Sequence, residues 1–122
     1  MKNISNVKQI ACGAHYSLAL TEEGLVYSWG MNNAGQLGDQ TRKDRYIPVK
    51  VNLANIKKIT SGDAHSLALK ADGTVWSWGW GEYGQLGIGS TNNISTPTQV
   101  KNLSKIRDIA SGIWHSFALK ED

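Results

Sequence analysis

The chain repeats itself, and this limits its fold more than any other feature. Three segments superpose: Ile10-Ala-Cys-Gly-Ala-His-Tyr-Ser-Leu-Ala-Leu20, Ile59-Thr-Ser-Gly-Asp-Ala-His-Ser-Leu-Ala-Leu69 and Ile109-Ala-Ser-Gly-Ile-Trp-His-Ser-Phe-Ala-Leu119, at intervals of 49 and 50 residues. A second block follows the first two copies, Gly24-Leu-Val-Tyr-Ser-Trp-Gly30 and Gly73-Thr-Val-Trp-Ser-Trp-Gly79. Each then runs to a Gly-Gln-Leu-Gly, at 35–38 and 84–87, and on to Pro48 and Pro97. One such unit cannot bury its apolar surface alone, so units must stack.

Within a unit the pattern is that of strands. Ser17-Leu-Ala-Leu20 and Val26-Tyr-Ser-Trp29 are short runs bounded by Gly and polar residues, and Ile56-Lys-Lys-Ile59 reads as a further strand. Asp72-Gly73 between two runs is a hairpin signal that predicts a positive φ at Gly73. Val75 falls on one face of its strand, Trp76 and Trp78 on the other, so both faces are apolar, as in sheets packed on both sides. Trp29 and Trp78 should be equivalent core residues, and five Trp predict a core rich in indole rings. No stretch has helical periodicity.

These residues resemble a known repeat. Gly-x-x-His-Ser-x-Ala-Leu, then Asp-Gly-x-Val-x-Ser-Trp-Gly, then Gly-Gln-Leu-Gly is similar to the repeat of the regulator of chromosome condensation family, from Val7 to Lys120. The resemblance implies an all-β fold of β-propeller blades of about 50 residues each, which the family closes into seven-bladed rings. In the first copy Tyr16 takes the family His position and His15 stands one place early. The whole chain, 1–122, reads as one propeller-repeat domain with units at 10–58 and 59–108 and a partial unit at 109–122. About 2.4 units per chain leave apolar flanks open, so either the chain is part of a longer propeller or several copies complete a ring. Self-association into a closed ring, with a trimer favoured on unit count, is the expectation.

Composition narrows the function. The net charge of +3 is mild and without a long run of one sign, which suits solubility as well as an acidic partner. Lys8, Lys57 and Arg107 recur two residues before the repeat's Ile; alternation makes them a solvated edge, and nucleic acid an unlikely partner. Cys12 is the single cysteine, no apolar run reads as a signal peptide or membrane span, and the expectation is a cytoplasmic location. Asn-x-Ser matches at Asn3, Asn93 and Asn102 point weakly the other way.

Sites of chemistry are few. Gly79-Trp-Gly-Glu-Tyr-Gly84 matches a dinucleotide fingerprint, but Gln85-Leu-Gly-Ile-Gly89 cannot open the helix that binding needs. Zinc needs three or four closely spaced ligands, and three His and one Cys are spread over three units; His65 and His115, in different units some distance apart, read as rings tied to backbone near a strand start. Cys12 fills the place of Ser61 and Ser111. No catalytic residue, metal or cofactor is therefore expected.

What varies inside the fixed frame is more telling. Ala14-His15, Asp63-Ala64 and Ile113-Trp114 precede the His-Ser frame; 31–34 and 80–83 follow Trp-Gly. Antiparallel pairing brings these two sets to one rim, opposite Asp72-Gly73. Trp80, Tyr83, Ile113, Trp114, Asp63 and His15 are the candidate partner-binding residues. The expected function is a non-enzymatic protein-interaction scaffold. The resemblance also implies an alternative, nucleotide exchange on a small GTPase, which would need a specialised wedge where 39–47 and 88–96 look like blade linkers. Light sensing, another family activity, lacks its Arg partners beside Gly112-Ile-Trp-His-Ser116.

Overall fold

A computed structural model describes Ile4 and residues 6–121; Asn3 of the first Asn-x-Ser match and the ends of the 1–122 domain lie outside the described residues. The described residues form ten strands and no helix: β1 (Val7–Cys12), β2 (Tyr16–Thr21), β3 (Val26–Gly30), β4 (Arg45–Lys50), β5 (Ile56–Ser61), β6 (His65–Lys70), β7 (Val75–Gly79), β8 (Ile94–Gln99), β9 (Ile106–Ser111) and β10 (Ser116–Lys120). They make two four-stranded antiparallel blades, β1-β2-β3-β4 and β5-β6-β7-β8, and a two-stranded sheet of β9 and β10.

The hairpin signals hold. Gly24 and Gly73 close the β2–β3 and β6–β7 turns at φ 84° and 87°, a region that glycine enters without a Cβ penalty. Asp72 steadies the second turn by accepting hydrogen bonds from the Thr74 N–H and hydroxyl at 3.0 and 2.6 Å. The fourth strands, β4 and β8, begin inside the stretches read as linkers, 39–47 and 88–96. Each carries the repeat's proline, Pro48 or Pro97, and each is an edge strand, where a missing N–H leaves no ladder bond unmade.

The blades converge on β1, β5 and β9, which lie side by side. The Gln9 amide clips both backbone groups of Ile59 at 2.9 Å each, Lys58 pairs with Asp108, and Thr60 Oγ1 meets Ser111 Oγ at 2.9 Å. Lys8, Lys57 and Arg107 are exposed, as alternation requires. The apolar core sits between blades. Leu18, Leu20, Val26 and Leu37 of the first pack on Ile56, Ile59, Ala68 and Trp78 of the second. Leu67, Leu69 and Val75 of the second pack on Ile106 and Ile109 of the third sheet.

Two expectations about the core need correcting. Trp78 is fully buried, but Trp29 is only half-buried, because no blade among the described residues covers its face of the first blade. Nor is the core rich in indoles: of the five tryptophans only Trp78 is fully buried. Aliphatic side chains fill the inter-blade layers instead.

Candidate functional site

The turns entering β2, β6 and β10 stand in a row, tied by backbone bonds. Ala14 N–H donates to Asp63 O and Asp63 N–H to Ile113 O, both at 2.9 Å. A shallow cleft of about 390 Å3 runs along the row, between Cys12, Ala14, Ser61, Asp63, Ser111 and Ile113. The loops leaving β3 and β7 join the same rim, through Met31 N–H to His15 O at 2.8 Å and Trp80 N–H to Ala64 O at 2.9 Å. The Gly73 turn is at the far end of its hairpin, where its carbonyl accepts Ile106 N–H at 3.1 Å.

Three of the six candidate residues come together. Trp80 and Tyr83 from one loop and Trp114 from the next turn meet edge to face, with centroids 4.9, 6.4 and 5.7 Å apart. Tyr83 is 65% and Trp114 49% exposed, so the rings form a patch facing solvent. They lean on one another and leave no open cage between them. The Trp80 indole N–H donates to Glu82, and Tyr83 N–H donates to Gln85 Oε1 at 2.9 Å, which fixes the loop. Ile113 is exposed beside Trp114, while Asp63 and His15 occupy the matching turns further along the row, also exposed.

The 31–34 loop departs from expectation. Read as a variable rim segment, it buries Asn32 and Ala34. The Asn32 amide donates to Asp39 Oδ1, Thr41 O and Lys43 O, each at 3.0 Å, and its Oδ1 accepts Leu37 N–H at 3.0 Å. Burial works against a charge on Asp39, but the Thr41 hydroxyl, Arg45, the Thr41 N–H and Asn32 outweigh it and hold the carboxyl below its ordinary range. In the second unit Gly81 stands where Asn32 does, and the linker supplies the tie: Asn93 Oδ1 accepts Gly81 N–H at 3.0 Å, as Asp44 Oδ1 accepts Asn32 N–H at 2.8 Å. Asn32 followed by Asp39, Thr41 and Asp44, short polar side chains that bond to nearby backbone, was the available signal for this network.

The backbone tie expected of the His frame position is made by tyrosine instead. Tyr16 stands opposite Gly30 as His65 stands opposite Gly79. Its hydroxyl donates to His65 O at 2.5 Å and lies 2.9 Å from Ser66 Oγ, joining the first blade to the second. Burial pushes this phenol well above the ordinary tyrosine range. The His65 ring is fully buried and neither ring nitrogen has a hydrogen-bond partner, which corrects the expectation of a ring tied to backbone. Burial pushes its pKa down to about 4, opposed in part by the nearby His115 backbone. Cys12 is exposed, with Ser17 Oγ 3.9 Å from its sulfur. Among the described residues no group of His, Cys, Asp or Glu is placed to hold a metal, and no helix is long and apolar enough to cross a membrane.

Comparison with known proteins gives a consistent result. The regulator of chromosome condensation (RCC1) repeat model matches residues 23–69 and 72–119, and a second model of the same description matches 7–36 and 56–85. The RCC1 domain-containing protein RUG3, mitochondrial, of Arabidopsis thaliana is 49% identical over 45 residues, which cover 37% of this chain and 10% of that protein. The crystal structure of human WBSCR16 superposes with a TM-score of 0.89 at 32% identity, over 99% of this chain and 32% of that one. Prp20p of Saccharomyces cerevisiae, whose structure was described with its binding properties to Gsp1p and histones, superposes with a TM-score of 0.84 at 26% identity, over 100% of this chain and 33% of that one. The chain thus spans a tenth of the curated relative and about a third of each solved propeller.

Proposed function

Since the chain belongs to the regulator of chromosome condensation repeat family, we propose that it is a non-enzymatic scaffold that binds a protein partner through one rim. The observation that carries this is the exposed patch of Trp80, Tyr83 and Trp114. Rigid aromatic side chains that bury area at little entropic cost anchor most protein contacts. Their loops stand on a hydrogen-bonded row of turns, so the patch is preorganised. Ile113 extends it, and Asp63 and His15 supply a polar margin. The likeness to Prp20p, described as binding Gsp1p and histones, supports a protein partner in kind. The scaffold needs no cofactor and no nucleic acid, and works in the cytoplasm.

The alternative, nucleotide exchange on a small GTPase, is less favoured. An exchange factor needs an element free to wedge into its target, whereas 39–45 is pinned by Asn32, Asp39 and Arg45. Self-association belongs to the proposal too: Ile10 on one flank is 63% exposed, and Phe117 and Leu119 on the other are 58% and 50% exposed. Head-to-tail contact of copies would cover both with the same chemistry that joins blades within the chain.

Capture of partners from the native cell tests the rim. A triple substitution, Trp80→Ala with Tyr83→Ala and Trp114→Ala, should lose the captured protein, while Tyr46→Ala on the outer edge strand, where Tyr46 is 90% exposed, should keep it. Retention by the triple variant would refute the rim; faster nucleotide release from a captured GTPase would favour the alternative. Light scattering that gives a constant mass near 13.3 kDa over micromolar concentrations would refute self-association.

A further inference from the structure

The first and second blades leave a groove of about 420 Å3 between them, at the hairpin ends that carry Gly24 and Gly73. Both walls belong to complete four-stranded blades, and the groove lies at the opposite end of the strands from the aromatic rim. Leu25 and the linker residue Leu53 line it from the first blade, Trp76 and Pro97 from the second, and Leu53 and Pro97 are buried. The Trp76 ring packs against the apolar core of this junction, and its N–H donates to Thr74 Oγ1 at 3.2 Å. That hydroxyl donates in turn to Asp72 Oδ1 at 2.6 Å, so the indole is a fixed wall. Ligand sites are preformed clefts of this size, mostly apolar with a few placed polar groups.

The charged residues that line the groove are both cationic. Lys70 Nζ lies 4.9 Å from the Trp76 ring centroid, over the indole face, and Lys50 lines the same groove. Neither ammonium has a carboxylate within ion-pair distance among the described residues. Asp72, the acid nearest Lys70 along the chain, is taken up by the Thr74 N–H and hydroxyl. The fold does not require this pair: in the first unit Thr21 and Tyr27 hold the places of Lys70 and Trp76. A cation laid on an indole face keeps its charge and its donors while losing side-chain freedom, so less ordering remains to be done when an anion binds.

We propose that this groove binds an acidic peptide segment of a partner protein, with carboxylate on Lys70 and Lys50 and a neighbouring apolar side chain against Trp76, Leu53 and Pro97. The two ammoniums supply charge-assisted donors to the carboxylate. The apolar walls call for a carbon body beside the charge, since an inorganic anion would leave them bare. Apart from Trp76 those walls are aliphatic, which suits a peptide side chain better than a run of stacked bases. The surface is separate from the rim, and the proposal does not rest on the rim.

The probe is a dye-labelled synthetic peptide, Gly-Ser-Glu-Leu-Glu-Gly-Ser, read by anisotropy with the intact chain. It should bind, and replacing both its Glu by Gln, or its Leu by Gly, should weaken binding about 10-fold or more. Lys70→Met, which keeps the stem and removes the charge, should weaken it as much. Lys43→Met, an exposed lysine outside the groove, should change the affinity by less than about 2-fold. Lys70→Glu should lose the peptide and bind the version with Lys in place of Glu, a reversal that a misfolded variant could not give. Binding should quench the chain's tryptophan fluorescence, and Trp76→Phe should remove that quench. Equal binding of the Gln peptide, or equal losses from Lys70→Met and Lys43→Met, would reveal diffuse attraction to a chain of net charge +3 and overturns the proposal. No binding overturns it too, as does tighter binding of a single-stranded oligonucleotide of the same charge.

Discussion

Trp29 and Trp78 stand 49 residues apart at the same point of the same strand, with the same Ser before and Gly after, yet only Trp78 is fully buried. The first strands repeat the contrast: Ile10 is 63% exposed, while Ile59 and Ile109 are 1% and 3% exposed. On the opposite flank Leu67 and Leu69 are 2% and 0% exposed, but their counterparts Phe117 and Leu119 are 58% and 50% exposed. Each blade has a leading face, which carries Ile10 and Trp29 in the first blade, and a trailing face, which carries Leu18 and Leu20. A face is core only where another blade's opposite face covers it. Burial in this molecule is therefore a property of junctions, and the energetic unit is the contact between units.

The sharpest test of that view is a pair of truncations. Trp78→Ala should cost about 3–5 kcal/mol, the range for a buried aromatic that leaves a cavity. At dilutions where the chain is monomeric, Trp29→Ala should cost less than half as much by denaturant titration, because water reaches that ring in the single chain. Equal losses would mean that each blade stabilises itself. A change in the ranking, with Trp29 the costlier, would mean that its flank is covered in solution.

The frame position filled by Tyr16 in one blade and His65 in the next sharpens the comparison through pH. His65 is held near pKa 4 by burial, below the 6.5 of the unfolded chain. A depressed histidine favours folding when neutral, so its contribution is complete above about pH 6.5 and is lost as pH falls toward 4. Over that window stability should drop by up to about 3 kcal/mol, at 1.36 kcal/mol per unit. His65→Tyr, which copies the first blade, should remove that slope. An unchanged slope in the variant would place the titration elsewhere.

A smaller effect compares the hairpin turns with the junctions. Gly73→Val forces a β-branched residue to φ 87° and brings its Cβ within 3.0 Å of Lys105 N, for an expected loss of about 1–2 kcal/mol. Thermal melting should show this loss to be smaller than that of Trp78→Ala. The opposite order would make the turn, and not the junction, the weak point.

The period, the hairpins and the rim were all legible in the residues. Strand pairing and turn chemistry are local, and 49-residue repetition carries them from one unit to the next whatever surrounds them. Even the convergence of Trp80, Tyr83 and Trp114 follows from hairpin pairing plus stacking of adjacent units. The strands β4 and β8 were hidden, because an edge strand that carries a proline and polar residues has no apolar alternation to announce it. The buried Asn32 network was hidden as well, since a polar loop looks solvated until its partners are in place. Tertiary structure alone decided which member of each equivalent pair became core. A residue's burial depends on atoms about 50 positions away, and Trp29 and Trp78, at the same strand position between the same Ser and Gly, differ in whether a blade stands in front of them.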